Sequence, residues 1–316
     1  MGGAPASSGP GGPPHRPSVS VILCTRDRPE SLRRSLRAIL ASTHREFELL
    51  VVDQSDDPRT RELTEGLRRE DPRLRYAPDA RRGLSRARNL GLAAAIGDLL
   101  VFTDDDCEPE PEWLARLVEC LVDDPGAGAA FGAVVPAPYD ARIGFIDGFL
   151  PPRRLRVTGR LGMRWGAAGA NMALRRRAVE DAGSFDELLG AGGYFASSEE
   201  WDLAYRILRA GYALWHLPEA RVVHHGLRDW RSASALARGT YVAIGAMYTK
   251  YVRRGDPGGA YLLLRQVWLA AGTVVRNGLR RRRPLGLGRL GRLLVGVWRS
   301  FELDIAPGRP LYRLRR

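Results

Sequence analysis

Between Ser18 and Asp123, short apolar runs alternate with stretches whose apolar residues recur at helical spacing, and this alternation restricts the fold more than any other feature. SVSVILC is a continuous apolar run, and in PESLRRSLRAILAS, just downstream, Leu32, Leu36 and Leu40 fall on one helical face. FELLVVD repeats the strand pattern, residues 59–69 the helix pattern, and LRYA is a short third strand. LSRARNLGLAAAI reads as a helix and DLLVFTD as another buried strand. PEWLARLVECLV then reads as an amphipathic helix with Pro111 near its first turn. Strands alternating with helices predict an α/β fold, a Rossmann-like mainly parallel sheet flanked by helices on both faces.

The strand ends carry the chemistry. SVSVIL ends in CTRDR, FELLVV in DQSDD and DLLVF in TDDD. In open α/β sheets, ligands bind beyond the carboxyl ends of the strands, where loops from separate strands converge. A single such group is more often a turn or cap residue, but the repetition predicts one crevice lined by Thr25, Asp53, Asp104 and Asp106. Asp104, Asp105 and Asp106 are three adjacent carboxylates, which repel one another. In a tight turn, Asp104 and Asp106 can converge on a hard divalent cation, Mg²⁺ or Mn²⁺, which holds them ionised and leaves room for a diphosphate. An Asp-x-Asp triplet is common by chance, so the spacing alone does not settle the matter.

After Asp124 the pattern changes. GAGAAFGAVVPAP reads as a small-residue strand, and residues 140–165 show little periodicity. In SSEEWDLAYRILRAGY, Leu203, Ile207 and Leu208 mark a helix that Gly211 ends, and RVVHH reads as a short strand. No internal repeat is visible.

Composition removes several function classes. Lys250 is the single lysine, which excludes a Walker A loop and argues against Schiff-base chemistry. Neither a GxGxxG after a strand nor a GxSxG elbow occurs. The three cysteines, Cys24, Cys107 and Cys120, lack metal-type spacing, which fits a reduced cytosolic setting and argues against zinc. Residues 1–17 are rich in Gly, Pro and Ser with no apolar core, and read as a disordered lead-in and not a signal peptide.

The formal charge of +13 is uneven: twelve arginines against Glu302 and Asp304 put +10 on Arg276–Arg316. TYVAIGAMYTKYVRR, YLLLRQVWLAAGTVVRNGLRRRR and LGRLGRLLVGVWRSF mix apolar runs, tryptophan and arginine. Arg265, Arg276 and Arg292 break the apolar runs, so a spanning helix is not expected. Basic amphipathic helices of this kind lie in anionic membrane surfaces. The competing expectation is helices packed on the preceding domain with solvated arginines.

CTRDRPESLRRSL, VVDQSDD, RRGLSRARNLGLAAAIGDLLVFTDDD, GAAGANMALRRRAVEDAGSFDE and EEWDLAYRILRAGY together resemble the nucleotide-sugar glycosyltransferases of family 2, whose fold is called GT-A. The resemblance runs in family order over roughly residues 18–226. It implies a GT-A catalytic domain over 18–228, between the lead-in over 1–17 and the basic amphipathic helical tail over 229–316 that composition and charge set apart. It also implies that Thr25, Arg26 and Asp53 meet the base and ribose, and that Gly83, Arg86 and Arg88 support the nucleotide. Asp104 and Asp106 would hold Mn²⁺ or Mg²⁺ on the diphosphate, with Asp105 nearer the ribose or sugar. Gly169, Ala170 and Asn171 would line the donor sugar and the acceptor entrance. The family's Glu-Asp-x-Asp-Leu pattern reads Glu199-Glu200-Trp201-Asp202-Leu203 here, which places Glu200 at the general base with Glu199 or Asp202 as alternatives. A charged helix N-terminus favoured by the dipole explains the same acids structurally. His224 or His225 would complete the metal shell, His224 being the first choice.

The resulting expectation is an inverting, metal-dependent glycosyltransferase that moves a sugar from a nucleoside-diphosphate sugar to an acceptor hydroxyl, in polysaccharide, glycolipid or cell-envelope glycan synthesis. Its partners would be that donor, a glycan, lipid-linked or small-molecule acceptor, and an anionic membrane surface, with a cytoplasmic location at the inner face of the membrane. Two other classes compete: a nucleotidyltransferase or other diphosphate-handling enzyme, and a nucleic-acid binder acting through the arginine-rich tail. No helix-turn-helix, zinc-finger or RNP pattern supports specific nucleic-acid recognition.

Overall fold

The computed structural model describes residues 17–280 and 285–315; all but the last residue of the expected lead-in lies outside the described residues. The alternation produces β1 (Val19–Thr25), α1 (Pro29–Leu40), β2 (Glu48–Asp53), α2 (Pro58–Glu70), β3 (Leu74–Pro78), α3 (Leu84–Ala94) and β4 (Leu99–Asp104). Each helix forms where an apolar stripe can face the sheet. In α1, Leu32, Leu36 and Ile39 are fully buried, each worth roughly 1.5–3 kcal/mol relative to exposure. In α2, Pro58 occupies the first turn and the Asp57 carboxylate accepts from the Arg59 amide, which fixes the start.

β1 pairs in parallel with β2 and β4, and β2 with β3. The register sets Thr25 beside Asp53 and Cys24 beside Asp104, so the polar strand ends align at one edge of the sheet. Beyond β4 come β5 (Cys107–Pro109), α4 (Trp113–Asp123), β6 (Ala127–Pro136), β7 (Gly144–Phe145) and β8 (Leu155–Val157). β9 (Asn171–Arg175), α5 (Arg176–Ala182), α6 (Glu199–Arg209), β10 (Ala213–His224) and β11 (Arg228–Asp229) follow. The main sheet runs β3-β2-β1-β4-β9-β6-β10-β5 with β8 also on β10, and β9 is antiparallel to both its neighbours. This is an α/β fold with a largely parallel central sheet flanked by helices. β10 begins well before the expected RVVHH strand, because a register shift between Leu217 and Arg221, around Pro218, interrupts its period.

The C-terminal part holds three helices, α7 (Trp230–Val252), α8 (Pro257–Leu279) and α9 (Leu285–Ser300), and a hairpin of β12 (Leu303–Ile305) and β13 (Tyr312–Leu314). Ala243, Met247, Tyr248 and Tyr251 of α7 share one hydrophobic core with Leu203 and Ile207 of α6 and with Phe185 and Phe195. The single lysine seals this junction. Lys250 is wholly buried, with Nζ 2.7 Å from Asp186 Oδ2 and 2.7 Å from Asp202 Oδ1. Asp202 also accepts from the Tyr251 hydroxyl at 2.6 Å and pairs with Arg206 at 3.0 Å, while Asp186 accepts from the Tyr312 amide. The segment after residue 228 is therefore packed into the preceding α/β part. Among the described residues, no helix is long and apolar enough to cross a membrane.

Candidate active site

A cavity of about 660 Å³ opens over the carboxyl ends of β1 and β4. Its walls bring together Thr25, Arg26, Gly83, Arg88, Asp104, Asp105, Asp106, Gly169, Ala170, Glu199, Glu200 and His224. Segments more than 170 residues apart thus meet at one place; of the four strand-end residues expected there, Thr25, Asp104 and Asp106 line the cavity and Asp53 does not.

The three carboxylates at the end of β4 each have a different neighbour. Asp104 Oδ1 lies 3.3 Å from Arg88. Asp105 accepts from the Thr25 hydroxyl at 2.8 Å and from Arg28 at 3.2 Å. Asp106 is shared by Arg28, at 3.1 Å, and by His224 Nε2, at 3.3 Å from Oδ1. Burial pushes the Asp104 carboxyl up against the pull of Arg88 and raises Asp105 to about 6 against Arg28. For Asp106 burial acts the same way, but His224 and Arg28 outweigh it and hold the carboxyl below its usual range. Two arginines and one histidine thus answer the repulsion of three adjacent acids.

His224 is oriented for a ligand. Its Nδ1 donates to the Asp147 carbonyl at 2.8 Å, which leaves Nε2 turned toward Asp106. A backbone carbonyl on one ring nitrogen is how metal-binding histidines are commonly held. His225, one residue past the end of β10, points elsewhere and meets Glu108 at 3.0 Å. Gly226 keeps the space between the pair open: a Cβ there would stand 2.6 Å from both Asp106 Oδ2 and His224 Nε2. The buried Cys107 sulfur is near this pair, and burial with the charges of Asp104 and Asp106 pushes its thiol far up, which makes it the least ready donor of the three. The remaining donors are carboxylate oxygen and imidazole nitrogen, a set that fits a hard or borderline divalent cation.

The acids of α6 separate into different environments. Ser198, just before the helix, is buried on the cavity wall with φ +77°, a strained backbone for a non-glycine residue. It turns the chain so that Glu199 and Glu200 both reach the wall. Glu199 accepts from Arg88 at 2.8 Å, and Arg88 thereby bridges the α6 acids to Asp104. Gly169 lets that guanidinium approach, since a Cβ would lie 2.8 Å from Arg88 Nη2. Burial, and then the neighbouring Glu199 charge, push the Glu200 carboxyl well above its usual range. Asp202 faces away into the Lys250 network and does not line the cavity.

Three more expected site residues stand behind the wall. The Asp53 carboxylate accepts from the Tyr76 hydroxyl at 2.8 Å and the Ser55 amide at 2.9 Å, and the next residue, Gln54, reaches the cavity instead. Gln54 in turn accepts from the Gly83 amide at 3.1 Å, and Gly83 has φ +132°, a region that only glycine adopts readily. Arg86 pairs with Asp79 at 3.1 Å. Asn171 is fully buried, donating to the Ala133 and Ala220 carbonyls and accepting from Trp113, so it anchors β9 beneath the Gly169–Ala170 loop.

Sequence reading missed Arg28, although it stands in the CTRDR segment. The signal was available: three adjacent acids call for a cationic neighbour, and Arg28 stands three residues past Thr25 in the β1–α1 loop. It also missed Gln54, Asp147–Phe149, Arg228, and the α7 residues Leu236, Thr240 and Ile244, all on the cavity wall.

Comparison with known proteins bears on the family and the fold. The family model for glycosyl transferase family 2 matches residues 20–183. The succinoglycan biosynthesis protein ExoM of Rhizobium meliloti is 31% identical, over 72% of this chain and 84% of its own length. The pre-mycofactocin glycosyltransferase of Mycobacterium tuberculosis is 29% identical over 91% of this chain, which spans only 57% of that relative. Among solved structures, the mannosyltransferase PcManGT from Pyrobaculum calidifontis, in complex with GDP-Man and Mn²⁺, superposes with a TM-score of 0.61. That match has 20% identity and covers 91% of this chain and 88% of the other. With the family model matching more than half of its residues and a GT-A architecture under its polar strand ends, the chain belongs to glycosyl transferase family 2.

Proposed function

We propose that this chain is an inverting, metal-dependent glycosyltransferase that uses a nucleoside-diphosphate sugar and an acceptor hydroxyl. The observation that carries this reading is the presence, on one cavity, of the Asp106–His224 pair with Asp104 on the same wall, and of a separate half-buried carboxylate, Glu200, with raised proton affinity. Asp106 and His224, with Asp104 beside them, would hold the cation; bound there, it would supply charge neutralisation for the departing diphosphate. The imidazole nitrogen in that set favours Mn²⁺ over Mg²⁺. PcManGT, solved with GDP-Man and Mn²⁺, supports the same donor and metal classes by analogy.

The chain's own residues divide the remaining work. Thr25, Arg26, Gln54 and Gly83 line the cavity beyond the β1, β2 and β3 ends and would receive the nucleoside, with Asp53 and Arg86 bracing them from behind. Arg88 fixes Asp104 and Glu199, and Arg28 fixes Asp105 and Asp106. The Gly169–Ala170 loop, held from below by Asn171, would border the sugar. Of the three α6 acids, Glu199 is committed to Arg88 and Asp202 to Lys250 and Arg206. Glu200 is left to accept the acceptor proton, and its raised pKa makes it a better base near neutral pH than an ordinary glutamate.

The test is a panel of nucleoside-diphosphate sugars incubated with Mn²⁺, with Mg²⁺ or with chelator. At least one donor should release its nucleoside diphosphate with metal and none with chelator, and the product should carry the inverted anomeric configuration by NMR. Retained configuration would remove the direct-displacement role of Glu200.

A further inference from the structure

The outward faces of α8 and α9 are apolar where solvent-facing helices are normally polar. On α8, Tyr261, Leu264, Trp268, Val275 and Leu279 fall three, four, seven and four residues apart, on one helical face, and are exposed, Trp268 by 72% and Leu279 by 83%. On α9, Leu287, Leu294 and Trp298 repeat the spacing, with Trp298 67% exposed. Singly exposed apolar residues are ordinary, but two neighbouring helices each carrying such a stripe indicate something that covers them.

The charge around the stripes identifies the occupant. From Pro257 to Phe301 the chain contains nine arginines and no aspartate or glutamate. Arg276 and Arg280 are exposed and share one shallow groove with Trp268, Val275 and Leu279. A second copy of the chain would bring two such positive surfaces together with no acid to answer them. A nucleic acid would satisfy the arginines but not an apolar stripe running the length of a helix. An anionic lipid surface satisfies both, taking up leucine and tryptophan at the headgroup boundary while arginine heads stay with the phosphates.

We propose that α8 and α9 form a docking face for an anionic bilayer, lying in its surface and not crossing it. Among the described residues, neither helix is long and apolar enough to span. α7 joins this face to the cavity, since it supplies Leu236, Thr240 and Ile244 to the cavity wall and packs against both α8 and α9. The inference does not depend on the proposed glycosyl transfer, and either can fail alone.

The experiment uses the full chain with vesicles of phosphatidylcholine, with and without phosphatidylglycerol. The protein should cosediment with the anionic vesicles, less so at high salt, and not with phosphatidylcholine alone. Arg276→Gln with Arg280→Gln should weaken binding about 25-fold, about fivefold for each arginine. Trp268→Glu with Trp298→Glu should abolish detectable binding. As a conservative check, lipids brominated in their chains should quench tryptophan fluorescence, and Trp268→Phe with Trp298→Phe should lose most of that quenching. Absence of cosedimentation with anionic vesicles, or quenching unchanged in the double Phe variant, would overturn the proposal. So would a dimer dispersed by Trp268→Glu, or protection of Trp268 by an oligonucleotide and not by lipid.

Discussion

Glu200→Gln should lower sugar transfer by at least about 10²-fold while donor binding persists, because glutamine keeps the shape of glutamate and removes its basicity. The side chain lies on the cavity wall at the start of α6, and burial together with the Glu199 charge holds its proton more tightly than usual. Only the ionised carboxylate can accept the acceptor proton. The wild-type rate should therefore rise with pH through a midpoint above the ordinary glutamate range, and Glu200→Gln should lose that limb. Steady-state kinetics with separate donor-binding titrations distinguish the outcomes. Near-normal transfer by Glu200→Gln, with Glu199→Gln inactive, would move the base to Glu199. Loss of donor binding in Glu200→Gln would make its role structural.

Lys250→Met should destabilise the protein by about 3–5 kcal/mol, the cost of removing one partner from a buried ion pair. Methionine preserves much of the apolar stem but leaves Asp186 and Asp202 buried without the ammonium between them. Arg206 and Tyr251 still hold Asp202, and the Tyr312 amide still holds Asp186, so the fold should survive at reduced stability. Adding Asp186→Asn should recover part of the loss by removing one unpaired charge. Urea unfolding measures both. A loss below about 1 kcal/mol would mean that the junction between α6 and α7 is held by its apolar core alone, since that is the scale of an exposed pair.

The first half of the fold was legible because its signals are local. Strand and helix periods alternate within short windows, and the strand-end acids needed only the rule that parallel strands point their carboxyl ends at one crevice. Residues whose work depends on distant partners were not legible. Asp202 sits two positions from Glu200, yet it turns toward Lys250, 48 residues later, and nothing in EEWDL shows which acid turns away. Asn171 follows Gly169 and Ala170 in the quoted GAAGAN segment, but the start of β9 swings its amide inward to the Ala133 and Ala220 carbonyls. The lone lysine excluded certain chemistries, and its value to the fold appeared only with its two carboxylates. In the same way, the tail's charge was plain in the sequence. The packing of α7 into the catalytic core, and its contribution to the cavity wall, rest on contacts that have no local pattern.

Binding of a nucleoside diphosphate in the cavity through a divalent cation is the step on which the proposed transfer depends. Calorimetric titration of a panel of nucleoside diphosphates tests it most directly, with Mn²⁺ and then with chelator. At least one diphosphate should bind in Mn²⁺ and lose most of its affinity with chelator. Asp106→Asn should lose the Mn²⁺-dependent part, and so should Gly226→Ala, whose methyl group would intrude between Asp106 and His224. Affinity that is equal with Mn²⁺ and with chelator, in the wild type and in both variants, would contradict the metal site and the mechanism built on it.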